Sequence, residues 1–411
     1  MTLKRNSALS FIYITVLIDF MGIGLIAPII PKLLEQLSGK DLSGASAYSG
    51  WLSFAYATFQ FLCAPVLGNL SDRYGRRPIL LISLLGLGID YIFLAFSPTL
   101  ALLFIGRVIA GICGASFTTA GAYIADISTN ENRAQNFGMI GAAFGVGFML
   151  GPAIGGMVSG WGVRAPFMVA AGLSLLNAIF GYFILPESLS PDHRRAFEWK
   201  RANPVGALVH IRKYPVILGL VGSLFFIYLA GQGLQNAWSF YTMLKFNWDA
   251  RMVGYSLAFV GLMTMIVQGG LIRLIIPKVG NKMAVFLGLG LYCIGMLLFA
   301  LANQGWMMFA ILVPYCLGGI CGPAIQGIIS TQVPPNEQGE LQGGLTSVMS
   351  LTAIIGPPLM MNLFAHFSKP NAPVFFPGAP FLAAAICCLV SLLLSMRSLA
   401  HYVAPKVQVG E

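Results

Sequence analysis

The sequence predicts an all-α membrane protein with twelve transmembrane helices arranged as two pseudo-symmetric six-helix bundles. The first observation behind this is composition. Of 411 residues, 57% are hydrophobic and 9% are charged, where a soluble domain carries about 25% charged residues. Apolar runs long enough to cross ~30 Å of hydrocarbon recur along the whole chain. The second observation is a duplication. Gly111-Ile-Cys-Gly114 returns as Gly319-Ile-Cys-Gly322, and Gly75 within residues 73–77 returns as Gly280 within 278–282. Gly151-Pro152 returns as Gly356-Pro357, and Asn130-Glu131 as Asn336-Glu337. Four collinear matches at nearly one offset indicate a repeated unit.

The predicted spans lie near 9–34, 48–70, 79–97, 100–126, 137–160 and 165–185, then near 215–243, 252–275, 283–302, 306–330, 343–367 and 377–397. The first follows Lys4-Arg5 and has no small-residue cleavage site, so it reads as a retained helix. Ser97-Pro98-Thr99 and Gln304-Gly305 mark two of the short turns. The 48 glycines suit helices that approach closely in lipid. Residues 1–185 form the first bundle, 186–214 a hydrophilic tether, and 215–411 the second bundle with a short tail. Residues 196–213 can also be read as an amphipathic segment on the membrane surface.

The net charge of +10 is distributed in a way that argues against nucleic acid as a partner. With both termini cytoplasmic, seventeen of the 24 Lys and Arg fall on the inner side. Lys32, Lys40, Arg164, Lys245, Arg251 and Lys369 fall outside, and Arg107 lies within a span. This positive-inside bias predicts a multi-pass protein of the cell inner (plasma) membrane. All seven cysteines sit in predicted spans, with no Cys-x-x-Cys and four scattered histidines, so no disulfide framework, metal site or cofactor is expected. No nucleophile–His pair or paired carboxylates appear within spans, and no length remains for a soluble catalytic domain. An enzyme is therefore disfavoured. A site between two repeated bundles can open to either side by rocking, which suits a transporter working as a monomer.

Charge inside a bilayer is expensive, which marks Asp19, Asp90 and Arg107 as functional candidates. Asp19 shares a helix face with Thr15, Gly22 and Ile26, a face expected to wall a wet cavity. A carboxyl there is a candidate proton carrier; the alternative is a static Asp–Arg pair. In the seventh span Gln232, Gln235, Asn236 and Ser239 form one polar stripe, flanked by Trp238 and Tyr241. Ser53, Tyr56 and Gln60 line up in the second span, as do Thr264 and Gln268 in the eighth. Such stripes should face the interior. They suit a large, partly apolar organic ligand, or interhelical hydrogen bonding without one.

The loop after the second span, Gly68-Asn-Leu-Ser-Asp72-Arg73-Tyr-Gly75-Arg76-Arg77-Pro78, sets one carboxylate among several cations. Asp126 at the end of the fourth span could accept Arg76 or Arg73, so the loop could latch helix ends. In the fifth span Gly147, Gly151 and Gly155 form a smooth groove beside Pro152 and Gly156, which predicts close packing and a bend.

At these residues the chain resembles the major facilitator superfamily. Residues 68–79 are similar to its loop signature, Leu103 to Gly114 to its fourth-helix signature, and 147–156 to the fifth-helix signature of its antiporters. Within the drug/proton antiporter branch the resemblance is to Tet-type tetracycline/proton antiporters. Residues 17–31 resemble their first helix, 88–96 their third, and Gly231-Gln232, Trp238, residues 253–257, Gln268, Gly305-Trp306 and 323–327 (with Gln326) add further matches. The resemblance implies proton-driven export of an amphiphilic organic compound or drug, with protons and a small-molecule substrate as partners. One departure concerns the ninth span, where Tyr292 occupies the position at which these antiporters carry an aspartate. That change argues against tetracycline–metal complexes as the substrate. It leaves proton coupling to Asp19, Asp90 and Arg107, with Tyr292 counted among the cavity residues. Transport of a native metabolite, such as a siderophore, sugar or amino-acid derivative, is the alternative.

Overall fold

The computed structural model describes residues 2–114, 116–129, 133–197, 215–333 and 338–400, and among these every regular element is helical. The first half contains α1 (Thr2–Ile26), α2 (Ile30–Ser38), α3 (Leu42–Tyr74), α4 (Arg76–Phe96), α5 (Leu100–Cys113), α6 (Ser116–Ile127), α7 (Arg133–Val158) and α8 (Ala165–Ile184). The second contains α9 (Pro215–Phe246), α10 (Ala250–Ile266), α11 (Ile272–Leu301), α12 (Gly305–Leu317), α13 (Cys321–Thr331), α14 (Gln338–Phe367) and α15 (Ala379–Ser398). The 198–214 part of the tether with its candidate surface helix, the Asn130-Glu131 and Asn336-Glu337 match, and the tail from 401 lie outside the described residues.

Four of the predicted spans are interrupted locally. The 9–34 span divides at Ala27–Ile29, because Pro28 lacks an N–H and disfavours a helical residue before it. Pro31 then starts α2, which ends at the left-handed Gly39. The fourth span is broken between α5 and α6, after Gly114. The eighth passes through a π-helical turn, Val267–Leu271, and the tenth through a 3₁₀ turn, Gly318–Ile320.

Among the described residues eleven helices are long and apolar enough to cross a membrane, and one of them, Ala250–Leu301, runs for 52 residues. At 1.5 Å per residue that would be ~78 Å, more than twice a bilayer core. Gly280, with φ 77° and ψ 157°, breaks it into two spans and brings the total to twelve. Gly75, its counterpart in the repeat, has φ 107° and ψ 160° between α3 and α4. The two matched glycines make the same kind of turn.

The apolar packing shows how the halves meet. One cluster of buried residues joins them, drawing Leu25, Ile29 and Leu52 from the first half and Trp238, Val253 and Phe364 from the second. Two further clusters stay within single halves. Phe11, Leu84 and Tyr123 belong to one, and Leu220, Val285 and Ile325 to the other. The shared cluster lies at the end carrying residues 27–50. The separate ones lie toward the opposite, arginine-rich end, which carries residues 68–77. Contacts between halves follow the same division. A Cβ on Gly50 would lie 2.9 Å from the Pro357 carbonyl oxygen, and one on Gly156 would lie 2.9 Å from that of Ala250. On the other side of the membrane, Cβ positions at Gly141, Gly145, Gly269 and Gly270 meet open space. The halves are closed at one end and parted at the other.

The two turn glycines give a graded prediction. Their backbone region is essentially closed to other residues, at about 1–3 kcal/mol per position. A Cβ at Gly280 meets nothing within 4 Å, whereas one at Gly75 would also press on the Glu187 carboxylate, 2.6 Å from its carboxyl carbon. Both Gly280→Ala and Gly75→Ala should lower the Tm in detergent, Gly75→Ala by more. An unchanged Tm in either variant contradicts the assigned turn.

Candidate functional site

The break in the fourth span gathers most of the membrane-embedded polar groups. Thr99 caps α5, and the helix carries Arg107 inward before ending at Gly114. Arg107 donates through Nη2 to Asp90 Oδ2 on α4, forming a buried ion pair. The pairing is one-sided: Asp90 Oδ1 and Arg107 Nε are buried without a hydrogen-bond partner among the described residues. Gly106 makes room for this, since a Cβ there would sit 3.0 Å from Asp90 Oδ1. The Arg107 guanidinium also lies 5.8 Å from the centre of the Tyr56 ring. Gln60 donates to the Tyr56 hydroxyl and to the Gly114 carbonyl, both at 3.1 Å. Asp19 reaches the far side of the same break, where it is hydrogen-bonded to Ser116 at the start of α6. Asp19, Tyr56, Gln60, Asp90 and Arg107 therefore form one cluster.

Some expectations need correction. Arg107 pairs with Asp90 and not with Asp19. Three positions of the stripe shared by Asp19 pack against neighbouring helices, while Asp19 itself is only partly buried. Thr15 is fully buried and accepts from Asn177, Ile26 is buried, and Gly22 sits beneath the Tyr91 hydroxyl. Trp238, expected at the cavity, is 1% exposed and belongs to the core. Its indole N–H donates to Ser256 at 2.9 Å, and its ring packs edge-on against Phe299 and Phe381.

The seventh-span stripe lies largely at the closed junction. Ser53 donates to Asn236 Oδ1 at 3.2 Å, and Asn236 in turn donates to Gln232 Oε1 at 3.1 Å. Ser239 donates to the Ala27 carbonyl at 3.1 Å, while Gln235 is exposed. In the same region Ser43 donates to the Ser368 carbonyl at 2.9 Å. The fifth-span glycines serve this junction too. A Cβ on Gly147 would lie 2.6 Å from the Leu17 carbonyl oxygen, one on Gly151 2.5 Å from that of Met21, and one on Gly155 2.8 Å from Leu25 Cα. These three positions seat α1 in the groove, while Pro152 and Gly156 face Gly254 and Arg251 of α10.

In the second half the equivalent cluster is neutral. A Cβ on Gly86 would lie 2.5 Å from Cys113 Cβ, and one on Gly288 would lie 2.7 Å from Cys321 Cβ. These matching contacts align the third and fourth spans with the ninth and tenth. They place Tyr292 at the position of Asp90 and Tyr315 at that of Arg107. Where the first half has an ion pair, the second has two tyrosine rings 4.9 Å apart. Thr264, hydrogen-bonded to Cys316, takes the place of Tyr56. Gln268 takes the place of Gln60, on a π-helical turn of a kind often found at functional sites. Gln326 donates to the Tyr228 hydroxyl at 3.4 Å.

The arginine-rich loop is an ion-pair relay. Arg76 Nη1 lies 2.5 Å from Asp72, and Arg76 Nε lies 3.0 Å from Asp126. Arg73 is exposed beside Tyr74, Gly68 faces open space, and the Asp72 carbonyl accepts the Arg195 N–H. Sequence reasoning missed Glu187, which organises this region. Its carboxylate accepts the backbone N–H groups of Arg76 at 2.8 Å and Arg77 at 3.2 Å, capping α4 beside the Gly75 turn. A lone acid directly after an apolar span, in Pro186-Glu187-Ser188, was its only signal. Ser116 and Tyr315 were also missed, since each is one small or aromatic residue within an apolar run.

Comparison with known proteins identifies the family. The family model described as Major Facilitator Superfamily matches residues 12–318 and 274–408. The class C tetracycline resistance protein of Escherichia coli is 42% identical, over 95% of this chain and 97% of that protein. The class B tetracycline resistance protein of Escherichia coli is 34% identical, over 98% of both. Among solved structures, a bacterial homolog of the human lysosomal transporter Spinster, in an inward-facing and unoccupied conformation, aligns with a TM-score of 0.77. It covers 98% of this chain and 99% of its own at 16% identity. The chain belongs to the major facilitator superfamily, whose members are transporters and not enzymes.

Proposed function

We propose that this protein exports an amphiphilic organic compound across the inner membrane by exchanging it for protons, alternating the side to which its central site opens. The observation that carries this reading is the asymmetry of the two repeats, with a buried Asp–Arg pair and a second carboxylate in one half and a neutral aromatic pair in the other. The tetracycline resistance proteins among its relatives support the export direction. A carboxylate oxygen without a partner has room for a proton. Protonating Asp90 would weaken its hold on Arg107 and loosen α4 from α5, while Asp19 senses the same break from α1. The second half, with Tyr292, Tyr315, Thr264 and Gln268, supplies ring faces and hydrogen bonds for the organic compound. Tetracyclines are the first compounds to test. The absence of a carboxylate at Tyr292 favours recognition of an organic ring system over a metal chelate.

With the arginine-rich end cytoplasmic, the conformation is open to the cytoplasm and closed outside through Ser43, Ser53, Asn236 and Ser239. A single chain contains the whole pathway, so a monomer suffices. The Asp72–Arg76–Asp126 relay would act as the latch that is exchanged when the cytoplasmic end closes.

Asp19→Asn preserves an acceptor for Ser116 but cannot carry a proton. In inverted membrane vesicles it should abolish compound uptake driven by a pH gradient, and uptake at the wild-type rate would sink the assignment. Asp72→Asn removes one arm of a partly exposed relay, an interaction of about 1 kcal/mol or less. It should slow turnover by up to about fivefold while leaving substrate-induced thermal stabilisation in place. Loss of that stabilisation would argue against a gating latch.

A further inference from the structure

Away from the central site, α4 begins and α8 ends around a groove of about 370 Å³, lined by Arg77, Pro78, Leu81, Tyr182, Glu187 and Arg194. Its charges do not balance. The Glu187 carboxylate is taken up by backbone N–H groups: Oε1 accepts from Arg76, Ser188 and Leu189 at 2.8, 3.0 and 3.1 Å, and Oε2 accepts from Arg77 at 3.2 Å. Arg77 donates through Nη2 to the Tyr182 carbonyl at 2.5 Å and lies 5.6 Å from the centre of that ring. Its Nε is buried with no hydrogen-bond partner among the described residues. Neither Arg77 nor Arg194 is in an ion pair among the described residues.

The groove opens onto an apolar face. Tyr182 is 62% exposed, Phe183 78% and Ile82 54%, a surface that meets lipid tails in a membrane protein. A ligand that fits must bring an anionic oxygen to two guanidinium groups and carry hydrocarbon alongside it. Free phosphate satisfies the first requirement alone. We propose that this groove binds the phosphate headgroup of an anionic phospholipid between Arg77 and Arg194, with the acyl chains lying along the Tyr182–Phe183 face. Basic pockets at helix ends near a membrane surface recognise such headgroups. The proposal needs the α4–α8 end to lie at a membrane interface in either leaflet, so it stands independently of the direction and substrate of transport.

The test is native mass spectrometry of the full chain in detergent, titrated with phosphatidylglycerol or phosphatidylcholine. Arg194→Glu reverses an exposed charge that lines the groove. Arg195→Glu reverses its neighbour, which does not, and serves as the control. Wild type and Arg195→Glu should hold a phosphatidylglycerol that survives activation, with affinity about tenfold or more above that of Arg194→Glu. Phosphatidylcholine should not compete for it. Equal retention in all three proteins, equal loss in both variants, or equal retention of phosphatidylcholine would overturn the proposal. Displacement of the bound lipid by millimolar inorganic phosphate would assign the groove to a free anion and overturn it as well.

Discussion

The buried pair between Asp90 and Arg107 constrains the rest of the first half. Taking either charge out of water alone costs several kcal/mol, so the two helices that carry them must keep one registration. Gly86 against Cys113 and Gly106 against Asp90 allow that close approach. The pair uses one oxygen and one nitrogen, and Asp90 Oδ1 and Arg107 Nε are left without a hydrogen-bond partner among the described residues. A fully satisfied pair would be a rivet; a half-satisfied one can change state when a proton arrives. Tyr56, Gln60, Asp19 and the break after Gly114 surround it.

The second half keeps the same frame and changes the chemistry. Gly75 and Gly280 turn alike, and Gly288 meets Cys321 as Gly86 meets Cys113. Tyr292 and Tyr315 replace the ions by two rings tilted at 43° to each other, which interact by area and quadrupole and need no counter-charge. Two equal charged halves would place two desolvated pairs in the membrane. One charged and one aromatic half leaves a single desolvated pair in the membrane. The closed junction between halves brings backbones close at Gly50, Gly156 and Gly254, and the shared cluster with Leu25, Leu52, Trp238 and Phe364 fills the space around them.

Much of the fold was legible in the sequence because its causes are local. Span length follows from hydrocarbon thickness, the repeat from matched glycines, and the three embedded charges from their cost in lipid. Pro28 carried a readable signal that the 9–34 span overlooked. The partners were not legible, because a stripe on one helix gives a polar face without saying which neighbour it meets. Thus Arg107 found Asp90 and not Asp19, Trp238 turned into the core to reach Ser256, and Asn236 reached across to Ser53. Glu187 lies more than a hundred residues from the turn it caps, a separation across which pattern carries no information. The match of Tyr315 with Arg107 also needed coordinates, since the offset between repeats shifts from one helix to the next.

The central claim is that protonatable carboxyls inside the membrane reside in the first half alone. Infrared difference spectroscopy of the reconstituted protein, following the carbonyl band of buried protonated carboxyls as pH is changed, tests it most directly. The account predicts that this band titrates in the wild type and vanishes when Asp19 and Asp90 are both replaced by asparagine. It also predicts a band unchanged when Tyr292 is replaced by phenylalanine. A band that persists at full strength in the double variant would contradict the account.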